Sequence, residues 1–135
     1  VWTDMERQCH KYGLAWTRPT SFPRRSILPA RIATLADGQP WQGEFIRRVM
    51  QLNFVEDHDI EDHAALSRIL DSLGQDGRAA IAAAESDGIK QGLRARTEEA
   101  QRRGVFGAPT FFVGDEMFWG NDRLDDALDL AANQR

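Results

Sequence analysis

Two short groups of residues carry the chemistry this chain offers most plainly, Ala108-Pro109 and Gly120-Asn121-Asp122. The triplet stands ahead of an apolar helical pattern and reads as a helix start. Free main-chain N–H groups and the positive end of a helix dipole can take a carboxylate there. The Asp122 carboxylate can take an ammonium, so one spot meets both signs of a zwitterion. Taken alone, the triplet reads mainly as a structural cap, since Asn and Asp are common at that position. Beside a rigid proline loop in the same run, it can hold a small anionic peptide.

The elements that must position these groups follow from a change of period at Gly104. Pro109–Val113 reads as a strand, Gly114-Asp115 as a turn and Glu116–Trp119 as the antiparallel partner. The last helix runs from Asn121 to about Asn133, with Leu124, Ala127, Leu128 and Ala131 at helical spacing. Upstream the pattern is helical. A helix over 3–12 takes Thr3 as cap, with Glu6 at the capping-box position and Gly13 as its stop. Leu14–Thr17 reads as a short extended segment. Ser26 caps a helix through about Leu35, with Pro29 tolerated in its first turn. Another helix covers about Pro40–Phe54 and lines up Phe45, Val49 and Leu52. Asp62 caps a short helix carrying Leu66, Ile69, Leu70 and Leu73, closed by Gly74. Residues 76–85 form a further short helix, and Ser86 or Asp87 caps a longer one through Arg103. The fold class is therefore mostly α with a C-terminal β-hairpin.

The bulk numbers exclude several functions. A chain of 135 residues with 41% hydrophobic and 28% charged residues is an ordinary globular domain. Its net charge of −4 argues against general nucleic-acid binding. No apolar run approaches the ~18 residues of a membrane helix, and no secretion signal is visible. Cys9 is the single cysteine, which leaves no internal disulfide, CxxC or thiolate zinc site. A cytoplasmic setting is the default expectation. The first residue is Val1, and Val1-Trp2 leads almost directly into a helical pattern. That start reads as an internal or truncated piece, the alternative being a processed end on an intact small domain.

Other residue types offer less. Alternation along the second strand sends Phe118 and Trp119 to opposite faces, with Phe118 the better core residue. His10, His58 and His63 make no ligand pattern, and the Glu56–Asp59 neighbourhood reads as a solvated loop. Cys9 reads as a packed, unreactive thiol. Asp125, Asp126 and Asp129 form a solvated helix face. No catalytic nucleophile is visible, and no metal site.

Three stretches carry a family likeness. The run Gly104–Leu124, with its Phe118-Trp119-Gly120, closely resembles the C-terminal signature of the 2-hydroxychromene-2-carboxylate isomerases. Trp2-Thr3-Asp4-Met5-Glu6-Arg7 and Phe22-Pro23-Arg24 extend the resemblance over nearly the whole chain. These enzymes are glutathione-dependent relatives of the kappa-class glutathione transferases and of DsbA. The resemblance implies a partial thioredoxin-like α/β fold with a helical insertion. On that reading 1–103 is the helical insertion region and 104–135 the C-terminal β-β-α part. The family's N-terminal β-α-β unit, which carries the catalytic residue, is expected to be absent.

The resemblance also assigns roles. It implies a cis Ala108-Pro109 bond that exposes the main chain of Ala108 to the cysteinyl backbone of glutathione, as a strand-like template. Asn121 and its neighbouring amides then take the γ-glutamyl carboxylate and Asp122 the ammonium. Trp119 walls the aromatic substrate or packs beside glutathione, although an aromatic in a hairpin is usually core. Arg25 departs from the family, where many members carry Asn. It reads either as a carboxylate partner or as a solvated surface arginine. Arg96 replaces a small polar residue and is a second candidate for the substrate pocket.

The function this implies is glutathione-dependent isomerisation of 2-hydroxychromene-2-carboxylate to trans-o-hydroxybenzylidenepyruvate by a homodimer, with this chain an inactive fragment. The expected partners are a small aromatic carboxylate and a second copy, with no nucleic acid and no membrane. Two rivals stand beside it. One is a DsbA-like thiol oxidoreductase, the other a truncated non-catalytic domain that binds a partner or self-associates through an open sheet edge.

Overall fold

The structure, a computed structural model, describes residues 1–134; Arg135, the last residue of the 104–135 region, lies outside the described residues. In order, the elements are α1 (Trp2–Lys11), α2 (Ile27–Leu35), α3 (Gln42–Phe54), α4 (His63–Ser72), α5 (Gly77–Ala84), α6 (Asp87–Arg102), β1 (Thr110–Val113), β2 (Glu116–Trp119), a 3-10 turn (Asn121–Arg123) and α7 (Leu124–Ala132). The chain forms two compact units, Val1–Arg94 and Ala95–Arg135, which part within α6.

The first unit is helical, and its apolar spacing decides its packing. Leu28 and Ile32 of α2, Phe45, Val49 and Leu52 of α3, and Leu66 and Leu70 of α4 share one buried cluster with Ile81 and Ala84 of α5. The i, i+4, i+7 row expected on α3 is therefore its core face. Helix starts follow short side chains. Asp62 Oδ1 accepts from Ala64 N–H at 3.0 Å and Asp76 Oδ1 from Ala79 N–H at 3.1 Å. Ser86 rather than Asp87 caps α6, its Oγ accepting from Ile89 N–H at 3.4 Å.

Three expectations are corrected here. Thr3 is not a cap: α1 starts at Trp2 with Val1 in the cap position, and Met5 N–H bonds to Val1 O at 3.0 Å. The Trp2 ring packs 4.9 Å from Phe22 and 5.9 Å from Trp16, which holds Trp2 in the helix and moves its start upstream. Ser26 precedes α2 but its hydroxyl does not cap it, because Glu61 Oε2 reaches in and accepts from Leu28 N–H at 2.7 Å. Leu14–Thr17 forms no strand. With no ladder partner it is held by Thr17 N–H on Phe54 O at 2.7 Å and by Trp16 stacking on Phe54 at 5.7 Å.

The second unit is a hairpin with a helix. β1 pairs antiparallel with β2 in the register Thr110–Trp119, Phe111–Phe118, Phe112–Met117 and Val113–Glu116. All four residues of β1 are half-buried, as is Phe118. Arg103 lays its guanidinium 3.7 Å from the centroid of Phe112 and donates to Gly114 O at 3.2 Å, which ties the end of α6 to the hairpin turn. α7 packs on both strands and buries Ala127. The continuous helix expected from Asn121 is a 3-10 turn followed by α7 at Leu124. Gly120 sets this, with φ 105° and ψ 150°, and its carbonyl accepts from Arg123 N–H at 3.1 Å. That i→i+3 bond winds the first turn too tightly for an α-helix. Among the described residues no helix is long and apolar enough to cross a membrane.

Candidate functional site

The loop Val105–Pro109 leaves α6 where Gly104 N–H and Val105 N–H bond back to Gln101 O and Ala100 O at 3.0 Å. Thr110 Oγ1 then donates to Gly107 O at 2.6 Å and pins the loop to the first residue of β1. The Trp119 indole lies against Gly107. A Cβ there would fall 2.5 Å from the indole Nε1, so a side chain at this position would push the ring outward. Phe106 packs against the same indole, its ring 5.2 Å from that of Trp119. The Ala108-Pro109 peptide bond is cis, and so is Phe22-Pro23.

Gly120 joins the two groups that the sequence sets apart. Its N–H donates to Pro109 O at 2.9 Å, so the proline loop and the start of the 3-10 turn are hydrogen-bonded neighbours. Ala108, Pro109, Asn121 and Asp122 are all exposed. The main-chain N–H groups of Asn121 and Asp122 have no partner among the described residues, and neither polar main-chain atom of Ala108 has one. Asp122 folds back over Gly120, since a Cβ on that glycine would lie 2.6 Å from Asp122 Oδ1. The surface thus presents unpaired N–H donors and a carboxylate within one tight turn.

Trp119 is 52% exposed and Phe118 half-buried, which agrees with one ring toward the core and one away from it. Arg96 is exposed on α6 within the same unit.

Arg25 belongs to the helical unit. It stands 83% exposed and approaches Glu61 at 3.5 Å. Its neighbour Arg24 is the residue that sequence reasoning passed over. Its side chain is 8% exposed, and it donates to Asn53 O at 3.2 Å, to Asn53 Oδ1 at 2.7 Å and to Asp57 Oδ1 at 2.6 Å. Asp57 also accepts from Thr20 N–H at 2.9 Å and from its hydroxyl at 3.2 Å. The Arg24 guanidinium, with these Thr20 donors, lowers the Asp57 carboxyl to about 2. The stretch read as a solvated acidic loop is thus the anchor of an arginine clamp. Nothing local in the sequence marks it, because the partners lie about thirty residues apart. His58 Nε2 lies 2.8 Å from Asp62 Oδ2, and among the described residues no cluster of three His, Cys, Asp or Glu could hold a metal.

Residues 1–131 match the DsbA-like thioredoxin domain. The chain belongs to that family. Within it, this chain is similar to proteins named 2-hydroxychromene-2-carboxylate isomerase. It is 34% identical to the one from Sphingobium xenophagum over 122 residues, which is 90% of this chain and 62% of that protein. Against the one from Pseudomonas putida it is 31% identical over 123 residues, covering 90% of this chain and 59% of the relative. It also matches the solved structure of a 2-hydroxychromene-2-carboxylate isomerase with a TM-score of 0.81 and 26% identity, over 98% of this chain and 66% of that one. The chain therefore spans about three-fifths of the length of these two curated relatives. The mostly helical architecture with a C-terminal hairpin is the one expected from the residues, and its DsbA-like character is the one the resemblance implied.

Proposed function

We propose that this chain forms the glutathione-positioning part of an isomerase acting on 2-hydroxychromene-2-carboxylate. The observation that carries the proposal is the Gly120–Pro109 hydrogen bond, which sets the open main chain of Ala108 beside the unpaired N–H groups of Asn121 and Asp122. The names of the matched relatives supply the reaction.

Glutathione, when bound, supplies a thiol nucleophile able to add reversibly to a conjugated acid, so that the former double bond can rotate before the thiol leaves again. The residues of this chain bind and orient. Ala108 offers its N–H and C=O to an extended peptide backbone, in the manner of an added strand. The amides of Asn121 and Asp122 take a carboxylate, and the Asp122 side chain takes the neighbouring ammonium. Trp119 and Phe106 present exposed ring surface beside the proline loop, apolar ground for an aromatic acceptor. The group that stabilises the thiolate belongs, on this proposal, to a Ser hydroxyl outside this chain. A cytoplasmic homodimer is part of the same reading.

The test is calorimetric titration of this chain with glutathione and with cysteinylglycine, which lacks the γ-glutamyl group. Tighter binding of glutathione by about tenfold or more is expected from the two charge-assisted contacts. Equal affinities, or no binding of glutathione, overturn the assignment. The chain by itself is expected to show no turnover, and measurable isomerisation places the thiolate-stabilising group within it.

A further inference from the structure

The groove between α3 and α4 gathers positive charge on a chain whose net charge is −4. Its volume is about 640 Å³. That lies within the range of roughly 300–1,000 Å³ typical of small-molecule sites. Arg47 and Arg48 of α3 and Arg68 of α4 line it, with apolar ground from Leu52, Val55 and Ile69. Arg48 and Leu52 are four apart on α3, and Arg68 and Ser72 four apart on α4, so each helix turns one row of residues to the groove.

The three arginines are short of partners. Arg47 and Arg48 share a single carboxylate, Glu44, which accepts from Arg47 Nε at 2.9 Å and from Arg48 Nε at 3.2 Å. Arg48 Nη1 also donates to Ser72 Oγ at 2.9 Å, which carries that guanidinium across to α4. The Ser72 hydroxyl is itself spent on Ile69 O at 2.6 Å. Arg68 stands one turn before Ser72, and side chains at that spacing have Cβ atoms about 5–6 Å apart. It makes no hydrogen bond, ion pair or ring contact among the described residues. Glu56 also lines the groove, but its carboxylate pairs with none of the three arginines. Three guanidiniums thus share one carboxylate, a like-charge crowding that an anion entering the groove relieves.

We infer that this groove is a binding site for a small phosphate monoester with a short aliphatic body. Arg47 Nη1, Arg48 Nη2 and the whole Arg68 fork have no partner among the described residues. Guanidinium forks match phosphate oxygens in pairs, and a dianion meets the excess of positive charge that a single carboxylate meets only in part. The aliphatic body lies on Leu52, Val55 and Ile69. A bare phosphate ion leaves that apolar ground uncovered. The site stands on the geometry of the helical unit alone and does not depend on glutathione binding.

The experiment is ¹H–¹⁵N NMR titration of this chain with butyl phosphate, pentanoate and inorganic phosphate, at about pH 7, above the second phosphate pKa of about 6. Saturable butyl phosphate shifts are expected at the backbone amides around Arg48 and Arg68. Butyl phosphate should bind about tenfold tighter than pentanoate and at least about threefold tighter than inorganic phosphate. Arg68→Gln should weaken butyl phosphate about tenfold with the thermal melt unchanged, since Arg68 supports no contact in the fold. Arg78→Gln, at an exposed arginine of α5 that does not line the groove, should leave the affinity as it was. Shifts confined to other residues, absence of saturable binding, pentanoate or inorganic phosphate binding as tightly as butyl phosphate, or an equal loss in Arg78→Gln overturns the inference.

Discussion

The main-chain N–H of Gly120 donates to the carbonyl of Pro109 at 2.9 Å, and this bond makes one surface of two motifs separated in the sequence by the whole hairpin. Gly120 can make it because its φ of 105° with ψ of 150° is open essentially to glycine alone.

Gly120→Ala is expected to cost about 1–3 kcal/mol from backbone strain. It should also displace Asp122, whose Oδ1 would lie 2.6 Å from the new Cβ. Denaturant titration reads the first effect, and glutathione titration reads the second as lost affinity. A variant that binds glutathione as well as the parent chain removes this turn from the site.

Asp122→Asn removes the charge proposed to face the ammonium of the γ-glutamyl group. Glutathione affinity should fall by about tenfold or more while that of cysteinylglycine is unchanged. A parallel loss for both peptides shows that Asp122 acts on the fold and not on that ammonium.

Gly107→Ala places a methyl group 2.5 Å from Trp119 Nε1. The indole is 52% exposed and has room to swing outward. The expected outcome is a moved Trp119 indole N–H resonance with destabilisation of about 1 kcal/mol, the low end for overpacking. An unchanged resonance contradicts the packing described here.

The helical unit should be acid-sensitive in a defined window. Asp57 is held near pKa 2 by Arg24 and Thr20, and Glu44 is lowered to about 2 by Arg47 and Arg48. Both carboxyls are depressed on folding, so their stabilisation is fully present above the ordinary range, about pH 4. It is lost as pH falls from there toward 2, where the folded-state groups take up protons. Asp57→Asn should lower the melting temperature at pH 7 and flatten its decline between pH 4 and 2. A variant whose melting curve tracks the parent's through that window leaves the Arg24 clamp without a thermodynamic role.

Gly77 sits where α5 meets α4. A Cβ there would lie 2.6 Å from Ser67 O and 2.8 Å from Ser67 Cα, both backbone atoms that cannot turn aside. Gly77→Ala is therefore expected to destabilise by about 1–3 kcal/mol in urea denaturation. Full tolerance indicates that the two helices can slide apart.

The amino-acid sequence by itself determined the local order. Apolar rows at helical spacing marked the core faces of α3 and α4. Asp62 announced its helix, and the apolar pair of strands around Gly114-Asp115 specified the hairpin. Those features depend on neighbours a few residues away, so spacing is enough to read them. What only the tertiary structure decided involves partners far apart in the chain. Glu61 displaced Ser26 from its capping role, Phe22 and Trp16 drew Trp2 into α1, and Arg24 found Asn53 and Asp57 instead of solvent. The same holds for the Pro109–Gly120 bond. A polar group's partner is set by where the packed backbone brings it, and side-chain type alone carries no record of that meeting.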